Sequence, residues 1–292
     1  MILVAWWHVV VLLRQSHRIF DFCVPISNLP LGKSVSSDPW EDFSNIFRRE
    51  HQPLPRAWAD VFGPLRKGTV DDCVIVGQIG QSLDGRVATE SGHSKYINGP
   101  AGLVHLHRLR ALVDAVVVGV GTAIADDPQL TVRRVSGPQP ARVVIDPKGR
   151  LGADARIFAD NGVRRLLITE QGTRCRPPSG VEVVTLPMPN GQFAPSAILA
   201  ALAGCGMRRM LIEGGADTVS RFLAAGCLDR LHVMVAPIIL GVGGPGLILP
   251  SLDRADQAPR MPVRVHKFED DVLFDCDLSA QRVALGVAKK SM

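Results

Sequence analysis

No C-x-x-C pair occurs among the six cysteines, Cys23, Cys73, Cys175, Cys205, Cys227 and Cys276, and no histidine stands at zinc-finger spacing. Neither a metal cage nor a compact disulfide framework is therefore signalled, and thiols scattered in this way suit a reducing cytoplasm. Basic residues form no runs, and a net charge of +5 is mild for 292 residues. That balance makes no case for nucleic acid and suits an anionic small ligand equally well. Missing too are the G-x-S-x-G elbow, the G-x-x-x-x-G-K-[ST] phosphate loop, the H-E-x-x-H metal helix and the H-x-E with P-C-x-x-C of zinc deaminases. Hydrolase, P-loop and metal-dependent deamination chemistry are set aside with them. The first segment, MILVAWWHVVVLL, falls short of the roughly 20 apolar residues that a membrane helix needs. It also lacks the basic start and small-residue end of a secretory leader. A buried terminal helix or a misplaced start codon is the expectation there, not a membrane anchor.

What is present is an ordinary globular composition, 46% apolar and 21% charged. Asp38-Pro39 reads as an N-cap followed by a first-turn proline, opening a helix in which Trp40, Phe43 and Phe47 recur at helical spacing. A second short helix is expected over Arg56 to Phe62, closed by Gly63-Pro64. Residues 1–70 thus read as a partly helical extension lying on a main domain over 71–280, with 281–292 as a tail. From Cys73 onward, apolar runs of strand length alternate with helical stretches, the pattern of a mostly parallel sheet covered on both faces. Strands are expected at CVIVGQIG, AVVVGV, ARVVID, RRLLIT, VEVVTL, MRRMLIE and LHVMVAPIIL. VRVHKFE and DVLFDCDL, split only by Asp270, form an expected C-terminal antiparallel hairpin. The intervening helices are expected at Gly102 to Leu112, Ser196 to Ala203 and Asp217 to Ala225.

Three segments interrupt this pattern with glycines, hydroxyls and charges at strand ends, where open α/β sheets bind ligands. In the first, Gln78 to Arg86, the S-L-D-G sequence marks a tight turn, and Ser94-Lys95-Tyr96-Ile97-Asn98 follows. In the second, Gly119 and Gly121 begin a dinucleotide fingerprint that fails at Ile124, leaving glycines and Thr122 as a phosphate cradle ahead of D-D-P-Q-L-T-V-R-R. In the third, Leu211-Ile212-Glu213-Gly214-Gly215 leads into a helix whose N-terminal amides can hold an anion; a plain strand-to-helix turn is the equal alternative. His105 and His107, two apart on a helix, diverge too far to share a metal and read as solvent-facing or packing residues.

Taken together, S-L-D-G, S-K-Y-I-N, D-A-V-V-V-G-V-G-T, A-D-D-P-Q-L-T-V-R, R-V-V-I-D-P and L-I-E-G-G resemble the reductase domain of bifunctional riboflavin-biosynthesis enzymes (RibD). The resemblance covers about residues 73–278. It implies a dihydrofolate-reductase-like three-layer α/β sandwich that passes hydride from NADPH to C1 of a ribosylamino group on a phosphorylated pyrimidine. It further implies a homodimer built through the sheet and its C-terminal strands, with no metal needed, which joins the cytoplasmic setting and the absence of membrane or nucleic-acid partners expected from the composition. Carried over residue by residue, it sets Gly80, Tyr96, Thr122 and Asp126 at the cofactor side, and Gly215, Ala216, Asp217, Thr218, Val219, Ser220 and Arg221 around the pyrophosphate. Ser94, Arg110, Leu130, Arg133 and Glu213 fall at the substrate side, where the two arginines would clamp a 5′-phosphate. Lys148 and Arg150 are candidates for reading a 2′-phosphate. Two positions depart from the family pattern: Tyr96 replaces its tryptophan, and Gln78 replaces its lysine, so that a neutral amide stands where a charged donor would. Gln78 and Glu213 are the candidate catalytic groups. Reduction of a pterin such as dihydrofolate on the same scaffold, with Glu213 as its acid, and a non-catalytic NADP-binding module are the alternatives.

Overall fold

A computed structural model describes residues 39–285, apart from 50, 190 and the side chain of 57. The expectations for the apolar first segment, the Asp38 cap and the last residues of the tail fall outside these. Two helices come first, α1 (Pro39–Phe47) and α2 (Arg56–Phe62). The chain then runs through β1 (Val74–Ser82), β2 (Arg86–Thr89), α3 (Pro100–Leu112), β3 (Ala115–Gly119), α4 (Val120–Asp126), β4 (Ala141–Ile145), β5 (Arg165–Glu170) and β6 (Val181–Leu186). It ends with α5 (Pro195–Gly204), β7 (Arg209–Ile212), α6 (Ala216–Ala224), β8 (Arg230–Ala236), β9 (Gly243–Pro245), β10 (Val263–Phe268) and β11 (Asp271–Asp277).

Nine strands form one sheet in the order β10-β11-β8-β1-β7-β3-β4-β5-β6. From β8 to β6 every pairing is parallel, while β11 runs antiparallel to both β8 and β10. Alternation along the strands explains the layers. In β3, Val116 and Val118 point into one core with α1, α2 and α3, whereas Ala115 and Val117 point into the other with α5 and α6. Both faces are thereby buried, giving the three-layer α/β sandwich with a mostly parallel sheet that the sequence implies.

The segment over α1 and α2 contributes Trp40, Phe43, Phe47, Trp58 and Phe62 to the first core, all buried. Their rings pack edge-to-face and stacked at 5.4–5.9 Å, and the Arg108 guanidinium lies over Trp40 and Trp58. The indole of Trp40 also donates to the Ser136 carbonyl at 2.8 Å, joining α1 to the loop before β4.

Several boundaries need correction. The strand expected to run through Val120 stops at Gly119, because extended Gly119 (φ −78, ψ 152) is already the N-cap of α4, a helix not foreseen. Seven residues including Gly, Thr and Val carry too weak a helical signal to stand out. The strand over 231–240 ends at Ala236, ahead of Pro237, which has no N–H to give a ladder. In the hairpin, Glu269 belongs to the turn with φ 55, so two residues separate the strands. His105 and His107 are both buried, which decides for packing over exposure.

Candidate active site

The C-terminal ends of β1, β3, β4 and β7 open into a cavity of about 1050 Å³. Two helix starts meet at its floor. Gly214 has φ 101, and a Cβ on it would press on the Thr122 side chain, so glycine alone brings β7 into α6 along this path. The Gly215 N–H then donates to Thr122 Oγ1 at 2.7 Å, tying the start of α6 to α4. No side chain caps α6, and Ala216 and Asp217 at its first turn line the cavity. Uncapped amides at a helix N-terminus favour an anion. Gly119, Gly121 and Thr218 complete this end.

The other end is built around a buried ion pair. Arg110 on α3 donates through Nε and Nη2 to the two Glu213 oxygens at 2.8 and 2.7 Å, and through Nη1 to the Thr131 carbonyl at 3.2 Å. Gln78, projecting from the middle of β1, lines the cavity as well, and its side-chain amide has no hydrogen-bond partner among the described residues. Asn98 and the backbone of Gly80 stand beside it in the wall. At the mouth, the Ser94 hydroxyl donates to Asp126 Oδ1 at 3.2 Å, and Tyr96 is 86% exposed with φ 66. Leu130, only 2% exposed and with φ 53, fixes the bend that starts the following loop.

This cavity therefore gathers Gln78, Gly80, Ser94, Tyr96, Arg110, Thr122, Asp126, Leu130, Arg150, Glu213, Gly215, Ala216, Asp217, Thr218 and Arg221. Other expectations are corrected. Val219 points the opposite way on α6, into the second core, and the Ser220 hydroxyl accepts from the Ile248 N–H at 2.8 Å. Both lie on the buried face of an amphipathic helix. Lys148 does not line the cavity although Arg150 does. Arg133 is outside the lining too: its guanidinium donates to Gln129 at 2.5 Å, and its N–H to His107 Nδ1 at 3.0 Å. Arg110, expected as a free phosphate clamp, has two donors committed to Glu213.

The S-L-D-G turn proves structural. Ser82 Oγ donates to Asp84, and Asp84 accepts from the Leu240 and Gly241 N–H groups. These bonds, led by that from Ser82, bring the Asp84 carboxyl down to about 2. The turn thus pins β2 and β9 together as a two-stranded ribbon, and Val87 and Ala88 of β2 reach the cavity. Sequence reasoning missed that ribbon, and it missed Gly191, Gln192 and Phe193 ahead of α5, which also line the cavity. The only available signal for the latter was the turn-rich P-N-G preceding a helix. Among the described residues no group of His, Cys, Asp and Glu could hold a metal ion, and no helix is long and apolar enough to cross a membrane.

Topology and cleft together define an open α/β sheet protein with its ligand site at the strand C-termini. The pattern of the RibD C-terminal domain matches residues 74–272, and the chain belongs to that family. It is 34% identical over 177 residues to the riboflavin biosynthesis protein RibD of Bacillus amyloliquefaciens, covering 59% of this chain and 46% of that protein. It is 33% identical over 177 residues to the 2,5-diamino-6-ribosylamino-4(3H)-pyrimidinone 5′-phosphate reductase of Methanothermobacter thermautotrophicus, covering 57% and 79%. Among solved structures, the diaminohydroxyphosphoribosylaminopyrimidine deaminase/5-amino-6-(5-phosphoribosylamino)uracil reductase of Thermotoga maritima superposes with a TM-score of 0.61 at 28% identity, covering 70% of this chain and 56% of the other. The chain spans less than half the length of the Bacillus RibD.

Proposed function

We propose that this protein is an NADPH-dependent reductase acting on a phosphorylated ribosylamino-pyrimidine and yielding the ribitylamino product. The observation that carries the reading is one cavity with two unlike ends, an uncapped helix start over glycines and a polar wall of amides and a buried ion pair. Its volume is at the upper end of the range for one drug-sized ligand, which favours an extended or two-part occupant.

The residues present fit a pyridine dinucleotide, since the first amides of α6 are free to meet a pyrophosphate and Gly121, with open space where a Cβ would stand, leaves it room. NADPH, when bound, supplies the hydride. Thr122 holds the Gly215 amide in place, Tyr96 offers an exposed ring face, and Arg150 offers a cation to a 2′-phosphate. At the substrate end Gln78 hydrogen-bonds the sugar without charge, and Glu213, fixed by Arg110, accepts from a hydroxyl or amine. NADPH would supply hydride to C1 of the ribose as the bond from C1 to the ring oxygen opens, and that oxygen would take its proton from a donor other than Gln78, whose amide has none to give. A pterin reductase would need a buried acid without a cationic partner here, and Glu213 is paired with Arg110.

NADPH oxidation on addition of the diamino-pyrimidinone or the amino-uracil phosphate tests the activity; no oxidation with either refutes it. Arg150→Ala is expected to reduce the preference for NADPH over NADH roughly tenfold while Lys148→Ala leaves it near the wild-type value, the weight of one charge-assisted bond. Equal effects from the two, read as kcat/KM ratios, would remove Arg150 from this role.

A homodimer is the second part of the reading. Val263, Val265 and Phe274 are exposed on the β10–β11 hairpin at the sheet edge, with Val265 and Phe274 directly paired across the strands. A second copy of this chain covers that row and the open edge of β10. Val265→Glu together with Phe274→Lys is expected to yield monomers in sedimentation; an unchanged sedimentation coefficient would exclude this face.

A further inference from the structure

Asn98 lines the cavity just ahead of α3, and its amide is held more firmly than a surface asparagine needs. Nδ2 donates to the Met234 carbonyl at 3.2 Å, and because a carbonyl only accepts, the nitrogen must face β8. Beside it lies Asp271, a buried carboxylate that accepts from the N–H of the next residue, Gly99, at 2.9 Å. Asp271 in turn fits only because position 102 is glycine, where a Cβ would lie 2.5 Å from Oδ2. Oδ1 alone remains, and it accepts from no described residue and is not sealed in the interior. It projects into the space that a Cβ at Gly80 would fill. Two glycines on different elements thus make room for one amide and its anchor.

We propose that Asn98 is a specificity-determining residue whose Oδ1 is a fixed acceptor for an N–H donor on the bound heterocycle. This rests on the reductase reading and narrows its substrate. A locked acceptor separates an amino from an oxo substituent, since the oxo form would set two acceptors face to face. The substrates named for two of the relatives differ in this respect: the archaeal reductase's pyrimidinone carries an amino group at ring position 2, and the Thermotoga enzyme's uracil an oxo group. The amino-bearing pyrimidine is the one this wall accepts. A nicotinamide carboxamide is the other source of the same N–H chemistry in this cavity.

The test uses the full chain as wild type, Asn98→Ser, Gly80→Ala and the double variant. It reads kcat/KM for the diamino-pyrimidinone and the amino-uracil phosphates, and NADPH affinity by fluorescence. Asn98→Ser is expected to lower the amino-over-oxo preference about tenfold, the usual weight of one hydrogen bond. If the donor is the carboxamide instead, NADPH affinity falls about tenfold and the preference holds, a result that keeps the fixed acceptor but overturns its part in choosing the pyrimidine. Gly80→Ala, which displaces Oδ1 while keeping the asparagine, is expected to reproduce either loss, and the double variant to be no worse than Asn98→Ser alone. Unchanged preference together with unchanged NADPH affinity, in Asn98→Ser or in Gly80→Ala, overturns the proposal. Should the wild type turn over neither pyrimidine, the reductase reading fails separately, and calorimetric affinities for the two pyrimidines replace the rates in deciding the role of Asn98.

Discussion

Replacing Glu213 with alanine is expected to lower the free energy of unfolding by about 3–5 kcal/mol and to abolish reduction. The side chains of Arg110 and Glu213 are only 8% and 6% exposed, so truncating the carboxylate strands a guanidinium with little water to replace its partner. The pair also joins α3 to the residue that follows β7, and Arg110 holds the loop after Leu130 through the Thr131 carbonyl. Loss of one carboxylate therefore loosens three stretches of the cavity wall at once. Urea denaturation and NADPH oxidation measure the two effects. The double variant Arg110→Met with Glu213→Leu separates them: removing both charges is expected to restore much of the stability, because the desolvation cost goes with them, while activity stays lost. A double variant as unstable as the single one would mean that packing at this spot, not charge, holds the wall. A Glu213→Ala protein of wild-type stability would mean that the pair is not desolvated at all.

The same pair shows where sequence reasoning stops. Arg110 and Glu213 were each expected at the site and both line the cavity, but their separation by 103 positions hid that they engage each other. Strands such as ARVVI and RLLIT are legible because both faces are buried and each carries a run of branched apolar residues after its arginine. β9 is Gly-Gly-Pro, a composition that argues against a strand, and it pairs only because Asp84 holds the adjoining loop against β2. α6 was placed within a residue by L-I-E-G-G, yet the run from Gly215 through Arg221 ignored helical period, which turns Val219 and Ser220 inward. Asn98 had a local mark, its place before the Gly-Pro that opens α3, but its meaning depends on Gly80, Met234 and Asp271, none of them close in sequence.

Stability is expected to fall as pH drops below about 6.5, driven by two histidines that the fold keeps neutral. His105 is fully buried between the Phe62 ring, 5.4 Å away, and His232, whose Nδ1 lies 3.0 Å from its Nε2. Burial, then the nearby His232 and Arg108 charges, push it well below 6.5. His107, 3% exposed, accepts from the Arg133 N–H, and burial followed by Arg110, Arg133 and Arg134 brings it to about 3. In the unfolded chain both take up protons near 6.5, so unfolding binds protons below that pH and stability rises with pH until it is passed. Each contributes about 1.4 kcal/mol per pH unit once the unfolded form is fully protonated. Asp229 and Asp271 oppose the trend, since burial raises their carboxyls and lets the folded state take up protons earlier. Asp275 adds to the fall further down: burial lifts it, but His232 and Arg230 outweigh that and hold it at about 2, so its contribution is complete above 3.8 and drains away toward 2. His107→Gln keeps an acceptor for the Arg133 N–H and removes one titration. Urea unfolding between pH 4.5 and 5.5 should therefore show a stability slope shallower than wild type by about 1.4 kcal/mol per pH unit. Parallel curves would show that His107 titrates alike in both states, and that the loop it holds is open to water.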